Sequence, residues 1–402
     1  MTDTAVEPRV ERWSASGDPH ALWPGVTEAA FEAARHAIGA MTREMLSRAD
    51  AAALTLDPEV TPEVLGVAAF ATGLGPLLGL WLEQGRLQAS DDIARVLASH
   101  LGHGRRRAAL LDRQLGRVLD AFQSRGIEAT LLKGMHTAWL YFPEPGTRPM
   151  SDIDLLVAPE HVAEARGALS ELGFTEGKTG ALPLRSEWHL GRDRQIHESL
   201  DLDHAENPWR VDLHVSLDRT VDFGIPARVG PPPAPVRLER RGRTVHVLPQ
   251  PFLLASLAFH GSCHMGALRL LALVELVFVM RRDFADGVKW WGAFQALVHD
   301  RRIERFVYPA LALSDHLSPG LVPKPVLDGI AAGATPLMRR VMRRAAPETG
   351  QQLYRRYGDT RLMWIRTPRD AWRCLTSLLH SGRLLRHLAA GRIRVSTPFR
   401  SG

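Results

Sequence analysis

Asp152 and Asp154 lie two residues apart in the run Met150-Ser151-Asp152-Ile153-Asp154-Leu155-Leu156-Val157. In an extended strand alternate side chains share a face, so both carboxylates point one way and Ile153, Leu155 and Val157 the other. Two like charges side by side are unfavourable unless a cation sits between them. A hard cation such as Mg²⁺, its shell completed by substrate phosphates, meets that need. Upstream, Glu128 to Leu132 reads as a strand running into Lys133-Gly134 and a helix start. Free backbone N–H groups beside a glycine can cradle a phosphate chain. Arg148 stands just before the carboxylate pair, where it either touches a phosphate or neutralises the carboxylates.

A second strand carries the same kind of signal. Arg210-Val211-Asp212-Leu213-His214-Val215-Ser216-Leu217 alternates without a break. Asp212 and His214 share one face, and Val211, Leu213, Val215 and Leu217 form the core face. An isolated D-x-D is more often a solvated strand end. Here Lys133-Gly134 before it, Arg148 beside it and the alternating Asp212 strand after it favour a chemical role.

Leu131-Leu132-Lys133-Gly134, a short helix with an aromatic end, then Arg148 and Asp152-Ile153-Asp154-Leu155-Leu156-Val157 resembles the polymerase-β-like nucleotidyltransferases. More narrowly, it resembles the bacterial uncharacterised nucleotidyltransferase family, over the stretch from Glu128 to Leu217. The resemblance implies an α/β (α+β) fold: a polymerase-β-like core with a mixed sheet, flanked by helical N- and C-terminal regions. It implies transfer of a nucleoside monophosphate from an NTP to a hydroxyl-bearing acceptor, with two Mg²⁺ ions and release of pyrophosphate. Asp152 and Asp154 would hold both ions, and Asp212, on a later strand, the ion that activates the acceptor. Lys133, the Gly134 backbone and Arg148 would bind the nucleotide. The acceptor is a small molecule, peptide or protein, a biosynthetic product among them.

One position departs from the superfamily, where Gly-Gly or Gly-Ser is common: here the turn is Gly134-Met135. Without that hydroxyl, Lys133 or the backbone carries more of the phosphate binding, unless Lys133 instead pairs with a nearby carboxylate. Two rival readings remain open. One is a catalytically weakened descendant that binds a nucleotide or a partner protein. The other is a toxin-type nucleotidyltransferase acting on tRNA through a basic C-terminal part.

The 402 residues suffice for a large core, and 45% hydrophobic with 23% charged content is ordinary for a globular chain. Cys263 and Cys374 show no C-x-x-C spacing, so no disulfide framework or cysteine zinc site is expected. That fits a reducing cytoplasm, as does a start (Met1-Thr2-Asp3-Thr4) without signal-peptide build. The net +6 is uneven: residues 338–402 hold 15 arginines against three acids, a balance of +12, leaving −6 elsewhere. Nucleic acid is therefore weighed as a partner for the tail but not favoured over a solvated arginine face on Trp372 to Leu388.

In chain order the expected organisation is a loose arm (1–25), a helical region (26–125), the nucleotidyltransferase core (126–250) and a helical region with a basic tail (251–402). Val64 to Leu82 has no charge and the length of a membrane span. Its glycines and Pro76 favour two buried helices broken near Gly75-Pro76, so no membrane is expected. Pro159 to Leu172 reads as a helix stopped at Gly173, Leu184 to Asn207 as a polar hairpin or loop, and Thr244 to Leu248 as a short strand. His260 and His264, four apart on a probable helix, read as packing or cleft-lining histidines in the absence of a third ligand. His189, His197, Asp201, Asp203 and His204 lack any ligand spacing and read as a polar loop near the cleft.

Overall fold

A computed structural model of the chain describes residues 25–47, 53–56, 61–177, 184–190, 208–285, 288–348 and 360–380. The expected arm before residue 25, the cluster His197, Asp201, Asp203 and His204, and the tail arginines Arg383 and Arg386 lie outside the described residues.

The chain opens with α1 (Glu28–Ser47), then β1 (Leu54–Thr55), α2 (Pro62–Thr72), α3 (Gly75–Glu83), β2 (Leu87–Gln88) and the long α4 (Asp91–Gln123). Helix α2 starts where Thr61 accepts a hydrogen bond from the Val64 N–H at 3.4 Å, with Pro62 in the first turn. It ends where Gly73, at φ 75°, adopts the left-handed cap. The uncharged stretch is therefore two helices bent by 116°. Val64 to Thr72 and Gly75 to Trp81 are buried throughout. No single helix among the described residues is long and apolar enough to cross a membrane.

Next come β3 (Ala129–Leu131), α5 (Met135–Leu140), β4 (Asp152–Val157), α6 (Val162–Glu171), β5 (Phe174–Glu176), β6 (Arg185–Leu190) and β7 (Arg210–His214). After these, β8 (Arg219–Val221) and β9 (Ile225–Ala227) form a small hairpin, and β10 (Val236–Arg240) pairs with β11 (Arg243–Val247). The chain continues through α7 (Phe252–Cys263), α8 (Leu270–Asp283), α9 (Val288–Asp300), α10 (Glu304–Leu317), α11 (Lys324–Ala332), α12 (Pro336–Met342) and α13 (Pro368–His380).

Seven strands form one mixed sheet in the order β10-β11-β3-β4-β7-β6-β5. The three strands expected from alternation are its centre, β4 running antiparallel to β3 and parallel to β7. Of the polar stretch expected as a hairpin or loop, Arg185–Leu190 is strand β6, antiparallel to β7. The strand around Asp212 stops at His214, earlier than its alternation suggests. Leu217 consequently leaves the sheet's core and joins the helical one.

Two hydrophobic cores meet at this sheet. One face carries Leu131, Ile153, Leu155, Val157, Val211 and Leu213 against α6 and the C-terminal half of α4. The other core joins α1–α3, the start of α4 and α7–α12, so the early and late helices pack together. Leu156, on the same face of β4 as the two carboxylates, belongs to that helical core. The carboxylates thus sit where the sheet faces the helices.

Candidate active site

Strands β4 and β7 lie in register, with Asp152 opposite Arg210, Asp154 opposite Asp212 and Leu156 opposite His214. Period-2 geometry then puts Asp152, Asp154, Arg210, Asp212 and His214 on the face away from the sheet's own core. Asp212 and His214 are wholly buried, Asp154 is 2% exposed, and Asp152 is the outermost of the three acids. The three expected carboxylates are brought together.

Each of them meets a cation. Lys133 Nζ donates to Asp154 Oδ2 at 2.6 Å, and His214 Nε2 bonds Asp154 Oδ1 at 2.9 Å. Arg210 Nε donates to Asp212 Oδ1 at 2.9 Å and its Nη2 reaches Asp152 Oδ2 at 3.5 Å. Arg185, from β6, lies 3.3 Å from Asp212 Oδ2 and also pairs with Glu187. The pairing alternative for Lys133 is therefore realised. His214, Arg210, Arg185 and Glu187 were not singled out from the sequence as site residues. The alternation through Arg210, Asp212 and His214 carried the signal for two of them.

The electrostatics separate the acids. Burial pushes Asp212 above the usual carboxylate range, and neighbouring Asp152 pushes the same way, against Arg210. Burial also opposes ionisation of Asp154, but the charge of Lys133 and the hydrogen bond from His214 outweigh it and hold that carboxyl well below its usual range. Lys133 loses hydration on burial, yet Asp154 and Asp152 keep its ammonium charged.

The residues fit a divalent cation. Asp212 Oδ2 is buried and accepts no hydrogen bond, and one ligand atom each of Asp154, Asp212 and His214 lie within 4.8 Å of one another. Oxygen-rich sites of this kind suit hard cations. His214 joins Asp154 and Asp212 in this convergent group, and Asp152 stands beside them on the same strand face.

The turn after β3 is built on Gly134, whose φ of 78° and ψ of −103° is a conformation that side-chain-bearing residues rarely adopt. Met135 is 1% exposed and packs in the core beneath the sheet, so its side chain does not face the carboxylates. A hydroxyl is present one turn on: Thr137 donates to the Gly134 carbonyl at 3.0 Å and also bonds Glu275 of α8. Arg148 feels the charges of Asp152 and Asp154, but its direct partner is another acid. Its Nε and Nη2 donate to Glu275 at 2.8 and 3.1 Å, a bidentate pair that is almost wholly buried. Glu275 lies 127 residues downstream in an apolar helix, and no local pattern announces it.

His260 and His264 pack ring to ring at 4.6 Å at the end of α7 and are not part of the convergent group. His260 lines a narrow cleft with Lys133 and Arg219. His189 lies on β6, paired with Thr175 and Arg210. A larger depression of about 740 Å³, walled by α4, β3 and the β10–β11 hairpin, contains none of the three aspartates.

No curated protein matches the chain. Among solved structures, the lincomycin-bound lincosamide antibiotic adenylyltransferase LnuA is 17% identical, with a TM-score of 0.24, over 36% of this chain and 83% of that one. The antibiotic-resistance factor ANT(2'')-Ia is 18% identical, with a TM-score of 0.26, over 46% of this chain and 94% of that one. Residues 58–319, well over half of the chain, match the family described as uncharacterised nucleotidyltransferase, and the protein is a nucleotidyltransferase of that family.

Proposed function

We propose that this enzyme transfers a nucleoside monophosphate from an NTP to a hydroxyl group of an acceptor in a Mg²⁺-dependent reaction. The observation that carries this reading is the in-register apposition of Asp154 and Asp212 with Asp152 beside them. Two parallel strands that bury neighbouring acids on one face make a costly arrangement for packing alone.

Magnesium bound there would neutralise the triphosphate and lower the pKa of the acceptor hydroxyl. Asp152, Asp154 and Asp212 are the residues that would hold it, Asp212 binding the ion that activates the acceptor hydroxyl. His214 fixes the orientation of Asp154. Lys133 spends one of its three donors on Asp154, leaving two for phosphate oxygens. Arg148 uses Nε and Nη2 on Glu275, and its Nη1 lies 3.7 Å from where a Cβ on Gly134 would sit. One guanidinium can thereby brace the turn and face the nucleotide. Phosphoryl transfer gains most from such positioning and charge neutralisation.

The test is pyrophosphate release from each of the four NTPs in Mg²⁺, with a metabolite extract supplying acceptors. Release that needs both Mg²⁺ and extract, and that Asp212→Asn abolishes, supports the proposal. No release by the parent with any NTP, or full release by Asp212→Asn, overturns it.

A further inference from the structure

Helix α13 starts from a reciprocal cap. Thr367 Oγ1 accepts the Asp370 N–H at 3.1 Å, and Asp370 Oδ2 accepts the Thr367 N–H at 3.1 Å. Pro368 opens the helix, where no helical partner for an N–H is lost. Asp370 also pairs with Arg305 at 2.9 Å. It is buried with Cys374 on the inner side, where the helix packs on β9 and the turn Asp222–Gly224. Asp370 is the one acid in residues 360–402, which hold nine arginines. The charge that could offset them is therefore turned inward and already paired.

The outer side of α13 is apolar at its centre. Trp372 is 65% exposed, and Leu375, one turn on, is 43% exposed. Five large apolar side chains are exposed among the described residues, and three of them, Leu362, Trp372 and Leu375, lie in this one stretch. Single apolar side chains on a surface are ordinary, but a tryptophan left mostly in water beside an exposed leucine marks a face that something covers. Arg369, also exposed, stands one turn before Trp372. The sequence after His380 adds five more arginines and no acid. A solvated arginine face, the expectation for Trp372 to Leu388, would not carry its tryptophan outward.

The chemistry of the face selects its partner. A nucleic acid would answer the arginines and stack on Trp372, but it offers Leu375 nothing. An anionic bilayer answers both, since its headgroup boundary takes tryptophan and leucine and its surface potential draws arginine. We propose that α13, with the arginine-rich segment after it, docks this enzyme on the surface of an anionic lipid bilayer. Trp372 and Leu375 would sink to the headgroup boundary, with Arg369 and the later arginines against lipid phosphates. The Asp370–Arg305 pair holds the opposite side of the helix to the body of the protein. The protein then lies on a membrane without crossing it, and no single helix among the described residues is long and apolar enough to cross.

Co-sedimentation of the full chain with vesicles tests this. One set is pure phosphatidylcholine and the other contains roughly a third phosphatidylglycerol. The parent should pellet with the anionic vesicles, stay in solution with the neutral ones, and bind less in about 1 M salt. Trp372→Ser should weaken anionic-vesicle binding about tenfold or more, and Arg369→Glu about fivefold or more. Both side chains face water, so neither change should move the melting temperature by more than about 2 °C. Should Trp372→Ser misfold, Leu375→Ser takes its place. A parent that stays in solution with anionic vesicles, or a folded Trp372→Ser that pellets as the parent does, overturns the proposal. So does a parent that leaves vesicles alone and instead shifts tRNA in a gel or dimerises through Trp372. NTP binding is measured separately, so the nucleotidyltransferase reading stands or falls on its own.

Discussion

Asp154 and Asp212 face each other across the parallel pair β4–β7, each almost fully out of water, yet they hold their charge in opposite ways. Lys133 and His214 keep Asp154 ionised, whereas Asp212 is pushed toward its neutral form by burial and by Asp152. Neighbouring cations outweigh burial at one acid, and burial with a neighbouring carboxylate outweighs them at the other.

Removing Lys133 acts on two partners at once. Lys133→Ala should lower the melting temperature, because buried Asp154 keeps only His214, and should weaken NTP binding about tenfold or more. Lys133→Arg should restore binding in part, since a planar guanidinium is a bulkier substitute. Melting curves and calorimetry with α,β-methylene NTPs check this. Equal NTP affinity across the parent and both variants would assign Lys133 to structure alone.

Glu275 ties the helices to the turn through Arg148 and Thr137. Glu275→Ala leaves a buried guanidinium uncompensated and should destabilise the fold by about 3–5 kcal/mol. A paired Arg148→Met, Glu275→Leu variant should lose less than the two single losses combined, because no charge is stranded. Urea unfolding of the parent, Arg148→Met, Glu275→Leu and the double variant gives the coupling. Additive losses would show that the two side chains act independently.

Gly134 is constrained by its backbone more than by space. A Cβ there would meet Arg148 Nη1 at 3.7 Å, an ordinary contact, but φ is 78°. Gly134→Ala should cost about 1–3 kcal/mol by strain alone. Urea unfolding should register it. A loss well under that range would mean the turn relaxes.

His136 should make stability fall in mild acid. It is 1% exposed, and burial lowers its pKa to about 4. The unfolded chain takes up its proton near pH 6.5 and the folded chain does not until about pH 4, so stability is lost as pH falls through that window. The loss approaches about 3 kcal/mol for this group. His136→Phe should flatten the melting-temperature profile between pH 6.5 and 4. An unchanged slope in the variant would mean that other groups set it.

The centre of the site was legible because strand alternation is a local property. Asp152, Asp154 and Asp212 share a face in any extended reading, and their apolar neighbours fix which face. The broken pair α2–α3 was legible for the same kind of reason, since Gly73 and Pro76 act on their own backbone. What the sequence left open was set by pairing at a distance. Arg185 and Glu187 belong to a polar stretch that reads equally as a hairpin or a loop, and pairing with β7 decides for a strand. The partner of Arg148 sits 127 residues away on α8, and nothing near Arg148 encodes it. The direction of the Met135 side chain is likewise set by packing at a distance, against the core beneath the sheet.

The most direct test of the account is Mg²⁺-dependent NTP binding by the parent, Asp154→Asn and Asp212→Asn, followed by calorimetry with all four α,β-methylene NTPs. The parent should bind at least one NTP in Mg²⁺ and lose it in EDTA, and both variants, still folded, should bind it at least tenfold more weakly. A parent that binds no NTP in Mg²⁺, or folded variants that bind as tightly as the parent, would contradict the assignment of these carboxylates to the metal and nucleotide.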